Sequence, residues 1–178
     1  MHTAMTAERT LPAAATALTA TAAVLMTLVA FGNITDFGTN QEFVRHVLAM
    51  DTTFQDEDLM WRAITDRTVQ DAVYVAIIGW EALAALVLLA ATLLWLRDLG
   101  SGGRGFDRAR RATTVGLVML LLLFGLGFMA IGGEWFAMWQ SAKWNGLTAA
   151  VRNVTLAGFA LILIHLPSPQ WHRGRPGS

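Results

Sequence analysis

The chain alternates between long apolar stretches and shorter polar ones. Four apolar stretches, residues 11–33, 72–96, 112–133 and 147–166, contain at most one charged residue each. Each is close to the ~20 residues with which a helix crosses the ~30 Å hydrocarbon core of a bilayer. A helix that is apolar on every side has no polar face to present to water. The pattern therefore predicts an all-α membrane protein, in which residues 11–166 form one antiparallel bundle of four transmembrane helices.

The polar segment 34–71, between the first two apolar stretches, has the features of a small folded unit. Thr39 and Glu42 stand three residues apart, which fits a capping box, and we expect a helix over about residues 40–50. A second short helix is expected near residues 56–65, because acidic side chains in a first turn suit the helix dipole. The segment therefore predicts a small helical extracytoplasmic cap over the bundle.

Composition supports the membrane assignment, and charge predicts its orientation. Hydrophobic residues make up 54% of the chain and charged residues 15%, against about 25% charged in soluble domains. There is no cysteine, which excludes disulfide and thiol chemistry. Residues 97–111 hold five arginines against two aspartates, whereas residues 34–71 are acidic. Because Lys and Arg mark the cytoplasmic side, we expect segments 34–71 and 134–146 to lie outside, and both termini to lie in the cytoplasm.

The two ends of the chain carry further expectations. Residues 1–10 are expected to form a cytoplasmic N-terminus that includes Arg9. The apolar stretch that follows is longer than the ~7–15 residues of a signal-peptide core and lacks a clear cleavage site, so we expect a retained helix. Residues 167–178 are rich in proline and glycine, and we expect them to form a disordered cytoplasmic tail.

One carboxylate interrupts the second apolar stretch. Glu81 lies eight residues after Val73, or ~12 Å into the bilayer, where a charge costs at least ~2.5 kcal/mol and is usually paired inside the bundle. Arg152 lies ~7.5 Å below the same surface if its helix begins at Leu147. We therefore predict an intramembrane charge pair between Glu81 and Arg152. Other candidate partners near that depth are Asn153, Glu134 and Asp36. A proton or ligand site at this depth, and a contact with another protein, are the two alternatives.

Tryptophans collect near the ends of the apolar stretches, as is typical of residues at a membrane interface. The segment GGEWFAMWQSAKWNG, residues 132–146, holds three of them. An interfacial girdle is one interpretation of this segment, and a surface for a partner or a lipid is the other. The residues of that candidate surface are Phe43, Glu134, Trp135, Trp139 and Trp144.

The pattern of potential ligands predicts no cofactor and no metal. A haem held between helices would need two facing histidines, whereas His165 stands alone at the end of the fourth stretch and His2, His46 and His172 lie outside the spans. No catalytic triad or metal-ligand spacing is present, and the acidic triplet 56–58 is interpreted as helix capping rather than as a calcium site. We expect the lipid bilayer as the main partner, another membrane protein or a second copy as a further partner, and no nucleic acid.

Five segments resemble a bacterial family of predicted small four-helix integral membrane proteins of unknown function. They are NITDFGTNQEFVRHVLAMDTTF, LMWRAI, GWEALAAL, GFDRARRA and GGEWFAMWQSAKWNG. The resemblance covers about residues 14–166 and implies four helices in the bacterial inner membrane. It implies no activity and no catalytic residue.

Size, aromatic surface and the lack of catalytic groupings together favour one function. We expect a small inner-membrane protein that serves as a non-enzymatic accessory or assembly subunit and binds a partner through its aromatic outer face. The alternative is a small transporter or channel component that uses Glu81 and Arg152. A membrane enzyme or quinone-handling protein, with its site under the cap, is the third hypothesis.

Overall fold

The computed structural model describes residues 9–100 and 106–171, and these residues form helices, turns and loops with no strand. The longer helices are α1 Thr10–Thr35, α2 Phe37–Ala49, α3 Arg67–Gly100, α4 Asp107–Leu120 and α5 Leu147–His165. A π-helix, Leu121–Trp135, continues α4 without a break. Short 3₁₀ turns occupy Met60–Arg62, Met138–Gln140 and Pro169–Trp171.

In the part of the chain that the structure describes, four helices are long and apolar enough to cross a membrane: α1, α3, α4 with its π-helical continuation, and α5. The prediction of an all-α protein with four membrane-spanning helices is confirmed. The largest difference in bounds is at α3, whose 34 residues span ~51 Å and so exceed the ~30 Å hydrocarbon core. Its first turn is fixed from outside the helix, because the Asp66 carboxylate accepts a hydrogen bond from the Val69 amide at 3.0 Å.

Small side chains line the inside of the bundle, and large apolar ones point away from it. The buried face of α1 carries Ala15, Ala22 and Ala23, which let the neighbouring helices approach closely. On the outside, Leu93 is 67% exposed and Phe159 is 67% exposed. This arrangement is the reverse of a water-soluble bundle and suits a surface that contacts lipid.

α3 and α4 cross closely at Gly116. A Cβ placed on Gly116 would lie 2.6 Å from the side chain of Leu88. Nearby, the Trp95 indole N–H donates to the Thr113 hydroxyl at 2.8 Å, and that hydroxyl lies 3.3 Å from the hydroxyl of Thr19 on α1. A hydrogen-bonded cluster of three helices therefore stands at one end of the bundle.

The other end of α1 meets the beginning of α3. The Tyr74 hydroxyl of α3 donates to the backbone carbonyl of Asn33 at 2.8 Å. Since Thr19 near the start of α1 lies beside Trp95 and Thr113, these contacts fit the antiparallel order expected for α1 and α3. The side of the membrane on which each end lies stays a prediction.

The segment between α1 and α3 contains the helix expected over about residues 40–50, but that helix begins earlier than predicted. α1 runs on to Thr35, and α2 begins at Phe37, directly after Asp36. Thr39 therefore lies inside α2, where it cannot serve as an N-cap, and no side chain caps this helix. The predicted capping box is wrong. The second expected helix is reduced to the turn Met60–Arg62.

α2 packs along the start of α3. Its buried residues Val44 and Leu48 join a cluster with Met50, Tyr74, Phe136 and Ala137. The Arg45 guanidinium donates to both oxygens of Asp71 at 2.9 and 3.0 Å, and to Glu42 at 2.6 Å. The hydrogen bonds that Arg45 donates to Asp71, and then the one to Glu42, hold the pKa of Arg45 above its ordinary value. These contacts fix the position of α2 relative to α3.

The beginning of the predicted tail is ordered. Trp171 is 1% exposed, and its ring lies 5.9 Å from that of Trp95 and 6.5 Å from that of Phe106. Its indole N–H donates to the Leu166 carbonyl at 2.7 Å. The prediction of disorder is wrong as far as Trp171, because a buried tryptophan supplies the apolar contact that ordering needs. The expectations for residues 1–8, 101–105 and 172–178 lie outside the described residues.

Candidate functional site

Glu81 lies on the buried face of α3 and is 1% exposed. The side-chain amide of Asn33, on α1, donates to the Glu81 carboxylate at 2.6 Å. The backbone carbonyl of Asn33 accepts from Tyr74, two turns before Glu81 on α3. Asn33 therefore holds two polar groups of α3 at once, and Glu81 faces the bundle, as its depth in the sequence suggested.

The predicted charge pair between Glu81 and Arg152 is absent. No ion pair or hydrogen bond joins the two side chains, and Arg152 is exposed. The reason lies in the rotation of α5, where Asn153 is buried. Because consecutive residues of a helix are ~100° apart around its axis, a buried Asn153 turns Arg152 away from the centre of the bundle. The depth of a residue in the membrane, counted along the sequence, does not show how its helix is rotated.

Glu81 and Arg152 nevertheless line one cavity of about 260 Å³. The cavity lies between α1, α2, α3, the π-helix and α5. Its polar lining comes from Asn33, Asn40, Tyr74, Glu81, Arg152 and Asn153. Two adjacent residues of α5 thus contribute differently, with Asn153 inside the cavity and Arg152 at its exposed edge.

Asn153 contributes a buried polar atom that has no hydrogen-bond partner among the described residues. The residue is 2% exposed, and its side-chain oxygen is buried without a hydrogen-bond partner in the structure. A buried acceptor left unpaired costs about 1–3 kcal/mol, and such groups are rare in folded proteins. Asn153 and Glu81 line the same cavity, so the unpaired oxygen belongs to a residue of the cavity wall.

A second cavity of about 210 Å³ adjoins the first beneath α2. The two share Phe43, Val44, Ile77 and Phe128 as walls. Every side chain that lines the second cavity is apolar. The polar cavity at Glu81 is therefore continued by an apolar one, along the inner surface of α2.

The π-helix supplies much of the wall of both cavities. Its backbone bonding extends to its end, where the Phe136 amide donates to the Ile131 carbonyl five residues earlier at 3.0 Å. Phe124 and Phe128 face the first cavity, and Gly127 and Gly132 line the second. π-helical turns widen a helix and are frequent at functional sites. In the sequence, the glycines of this span indicate close packing between helices, and they do not predict the π-helix.

The predicted aromatic surface is divided in the structure. Trp135 and Trp139 are 46% and 50% exposed, and Glu134 is also exposed. Phe43 and Trp144 are only half-buried and face the interior of the loops. Phe43 packs between the rings of Phe128 at 6.2 Å and Trp144 at 6.3 Å. Phe43 thus belongs to the cavity walls rather than to the outward surface.

Two residues outside the predicted set complete the outward aromatic surface. Trp61, 70% exposed, meets Trp135 edge to face at 5.5 Å. The Arg62 guanidinium lies over both rings, at 4.9 Å from Trp135 and 5.6 Å from Trp61. Phe54 meets Trp139 at 5.9 Å. Each loop contributes one ring to each pair, which the sequence order cannot show.

Within the described residues, no group of histidine, aspartate and glutamate side chains has the spacing to hold a metal ion. The model of a family described as "Predicted small integral membrane protein (DUF2165)" matches residues 11–167. No curated protein and no solved structure matches the chain.

Proposed function

The chain belongs to this family of small integral membrane proteins, and on that premise we propose that it binds a small ligand inside its membrane domain, in the cavity beside Glu81. The observation that carries the proposal is the unpaired, buried side-chain oxygen of Asn153. A ligand that donates a hydrogen bond would pair this oxygen and would also meet the Glu81 carboxylate. No catalytic grouping accompanies the cavity, so the proposal is binding rather than reaction.

The proposal keeps both residues of the transporter alternative but changes their relation. Glu81 and Arg152 act as two walls of one site and not as a pair that neutralises itself. A small transporter or channel component would use the same site, since intramembrane ionisable residues that line a cavity mark substrate or ion pathways. A binding protein and a transporter component would both bind a ligand in this cavity, so the first experiment measures binding.

The test is retention of a small molecule through purification. The full chain would be purified in a mild detergent, and native mass spectrometry would record the mass bound per protein. We expect wild type to retain a molecule that Glu81→Gln and Asn153→Ala both lose. Glu134→Gln is the matched control, because it removes an exposed carboxylate outside the cavity. Equal retention by all four proteins, or none by any, contradicts the proposal.

A second candidate function is the accessory or assembly subunit expected from the sequence. The observation that favours it is the exposed stack of Trp61, Arg62 and Trp135, since tryptophan and arginine dominate the energetics of protein interfaces. Membrane-wide cross-linking would test it. We expect one stoichiometric partner to be lost in the double variant Trp61→Ala/Trp135→Ala and kept in Phe159→Ala, which removes an exposed ring from a membrane span.

Location and orientation complete the proposal. We propose the bacterial inner membrane, with both termini in the cytoplasm and the loops around α2 and Trp139 outside. The arginine-rich residues 106–111 at the start of α4 support this orientation through the positive-inside rule. In this orientation the Glu81 cavity lies in the outer half of the membrane domain, under α2.

A further inference from the structure

We infer that the ligand of the Glu81 cavity is a zwitterionic aminophospholipid, with its ammonium group at Glu81 and Asn153 and its phosphate at Arg152. The inference deepens the proposed function and rests on it. Four features of the site carry the assignment: the acceptors inside, the aromatic wall, the arginine at the edge and the apolar cavity that adjoins it.

The interior of the cavity calls for a hydrogen-bond donor. Asn153, in the wall of the cavity, has a buried side-chain oxygen without a hydrogen-bond partner among the described residues. The one hydrogen bond that the Glu81 carboxylate accepts from those residues comes from the amide of Asn33. No cationic side chain among the described residues forms an ion pair with Glu81. A buried carboxylate is stabilised best by a positive charge with N–H groups. A primary ammonium supplies the charge and donors for both oxygens.

The aromatic wall suits the same group. Phe43, Phe124 and Phe128 all line the cavity. The ring centroid of Phe128 lies 6.2 Å from that of Phe43 and 5.5 Å from that of Phe124. The face of an aromatic ring attracts an ammonium group. The cavity, at about 260 Å³, is also far larger than the space that one water requires.

The edge of the cavity calls for an anion. Arg152 is exposed and makes no ion pair with any described residue. It stands five residues after Leu147, the first residue of α5, or ~7.5 Å along the helix axis. A long arginine side chain near a helix end reaches back to the membrane interface, where lipid phosphates lie. The acceptor groups for a cation and the arginine for an anion therefore lie at different places in one site, which matches the separated charges of a zwitterionic headgroup.

The surroundings favour a lipid over a soluble zwitterion. Ala149 and Arg152, at the edge of the cavity, are exposed on α5, and α5 is one of the membrane spans. The cavity therefore opens on a surface that faces the bilayer. The adjoining cavity, lined only by apolar side chains such as Val47, Val73 and Leu123, is suited to an acyl chain.

The experiment compares three lipids that differ only in the head. The full chain would be placed in nanodiscs with equal amounts of phosphatidylethanolamine, phosphatidylcholine and phosphatidylglycerol, transferred to mild detergent and analysed by native mass spectrometry. We expect wild type to retain one phosphatidylethanolamine, preferred about tenfold or more over the other two, since charge-assisted N–H donors are lost in choline and glycerol heads. Glu81→Gln and Asn153→Ala should each reduce that preference.

Arg152→Gln separates this binding mode from a general effect on folding. Because the phosphate is common to the three lipids, this variant should lower the retention of phosphatidylethanolamine and leave the remaining preference for ethanolamine over choline largely unchanged. Glu134→Gln and Arg67→Gln, both exposed and outside the cavity, should behave as wild type. Phosphoethanolamine without acyl chains should not displace the lipid.

The remaining outcomes distinguish the assignment to an aminophospholipid from the proposed binding of a ligand in the Glu81 cavity. A different retained molecule that is lost in Glu81→Gln overturns the lipid assignment and leaves the proposed binding function standing. Displacement by phosphoethanolamine overturns the assignment to a lipid in favour of a soluble zwitterion. Equal retention of all three lipids, unchanged in every variant, identifies annular lipid only and overturns both.

Discussion

The side-chain amide of Asn33 and the carboxylate of Glu81 meet across the contact of α1 and α3, with 2.6 Å between nitrogen and oxygen. This hydrogen bond, and not an ion pair with Arg152, is what the protein provides for the one acidic side chain buried in its second span. Asn33 lies near the end of α1, so the bond also connects the loop-side end of that helix to the wall of the cavity.

The first prediction is energetic coupling between Asn33 and Glu81. In a double-mutant cycle with Asn33→Ala and Glu81→Gln, we expect a coupling of about 0.5–1.5 kcal/mol in the free energy of unfolding. The expected coupling is small because polar groups of an unfolded state in lipid also find hydrogen-bond partners. The cycle of Glu81→Gln with Arg152→Gln should be additive within about 0.5 kcal/mol. Both would be measured by unfolding in detergent. Coupling in the second cycle and none in the first would restore the charge pair.

The second prediction concerns the crossing of α3 and α4. Gly116→Val should destabilise the protein by about 1–3 kcal/mol, because overpacking forces neighbouring side chains and backbone to move. A Cβ at this position would lie 2.6 Å from the side chain of Leu88. Leu88→Ala should relieve part of the loss in the double variant.

Gly79→Ala is the control for that substitution. Apart from the adjacent residues and the backbone of its own helix, nothing lies within 4 Å of a Cβ at Gly79, and Ala is favoured over Gly in a helix by about 0.5–1 kcal/mol. The midpoint of thermal unfolding in detergent should therefore stay the same or rise. If Gly116→Val unfolds at the same temperature as wild type, the two helices do not cross as closely as described.

The third prediction tests how α2 is held. Phe43→Asp places a charge between Phe128 and Trp144, and burying it without a partner is costly. We expect faster protease cleavage within residues 36–66, with the spans still inserted. Phe54→Asp is the matched control, since Phe54 is 73% exposed in the same loop. Equal cleavage rates for the two variants would mean that α2 does not pack over the cavities.

The fourth prediction concerns Trp171. Because its ring is buried against Trp95 and Phe106, Trp171→Ala should cost about 3–5 kcal/mol of unfolding free energy, as for other buried tryptophans. Trp61→Ala, at a ring that is 70% exposed, should change stability far less. Intrinsic fluorescence and thermal unfolding would be read together. A small effect at Trp171 would show that the chain after α5 is not docked.

The fifth prediction is the topology. Reporter fusions at Gly103 and after Ser178 should report the cytoplasm, and fusions at Gln55 and Ala142 should report the outside. The expectation follows from the arginines next to the spans. An outside signal at Gly103 would invert the orientation and move the Glu81 cavity to the inner half of the membrane.

The class of the protein and the number of its spans follow from local sequence pattern. Length and apolarity are properties of a contiguous segment, and a segment such as residues 112–133 shows them without reference to any other part of the chain. The burial of Glu81 was predictable for the same reason, since a carboxylate within a span must turn towards the bundle. The local capping pattern at Thr39 misled, because the end of α1 and not the pattern decided where α2 begins.

Which side chains meet depends on how the helices pack. Asn33 became the partner of Glu81 because α1 and α3 pack along these faces, and Arg152 did not, because the rotation of α5 buries Asn153 instead. The ordered Trp171 likewise depends on rings from α3 and the start of α4. Helix rotation and the contacts of residues far apart in the chain are set by packing among all the spans at once. A one-dimensional pattern gives the depth of a residue in the membrane but not the direction in which its side chain points.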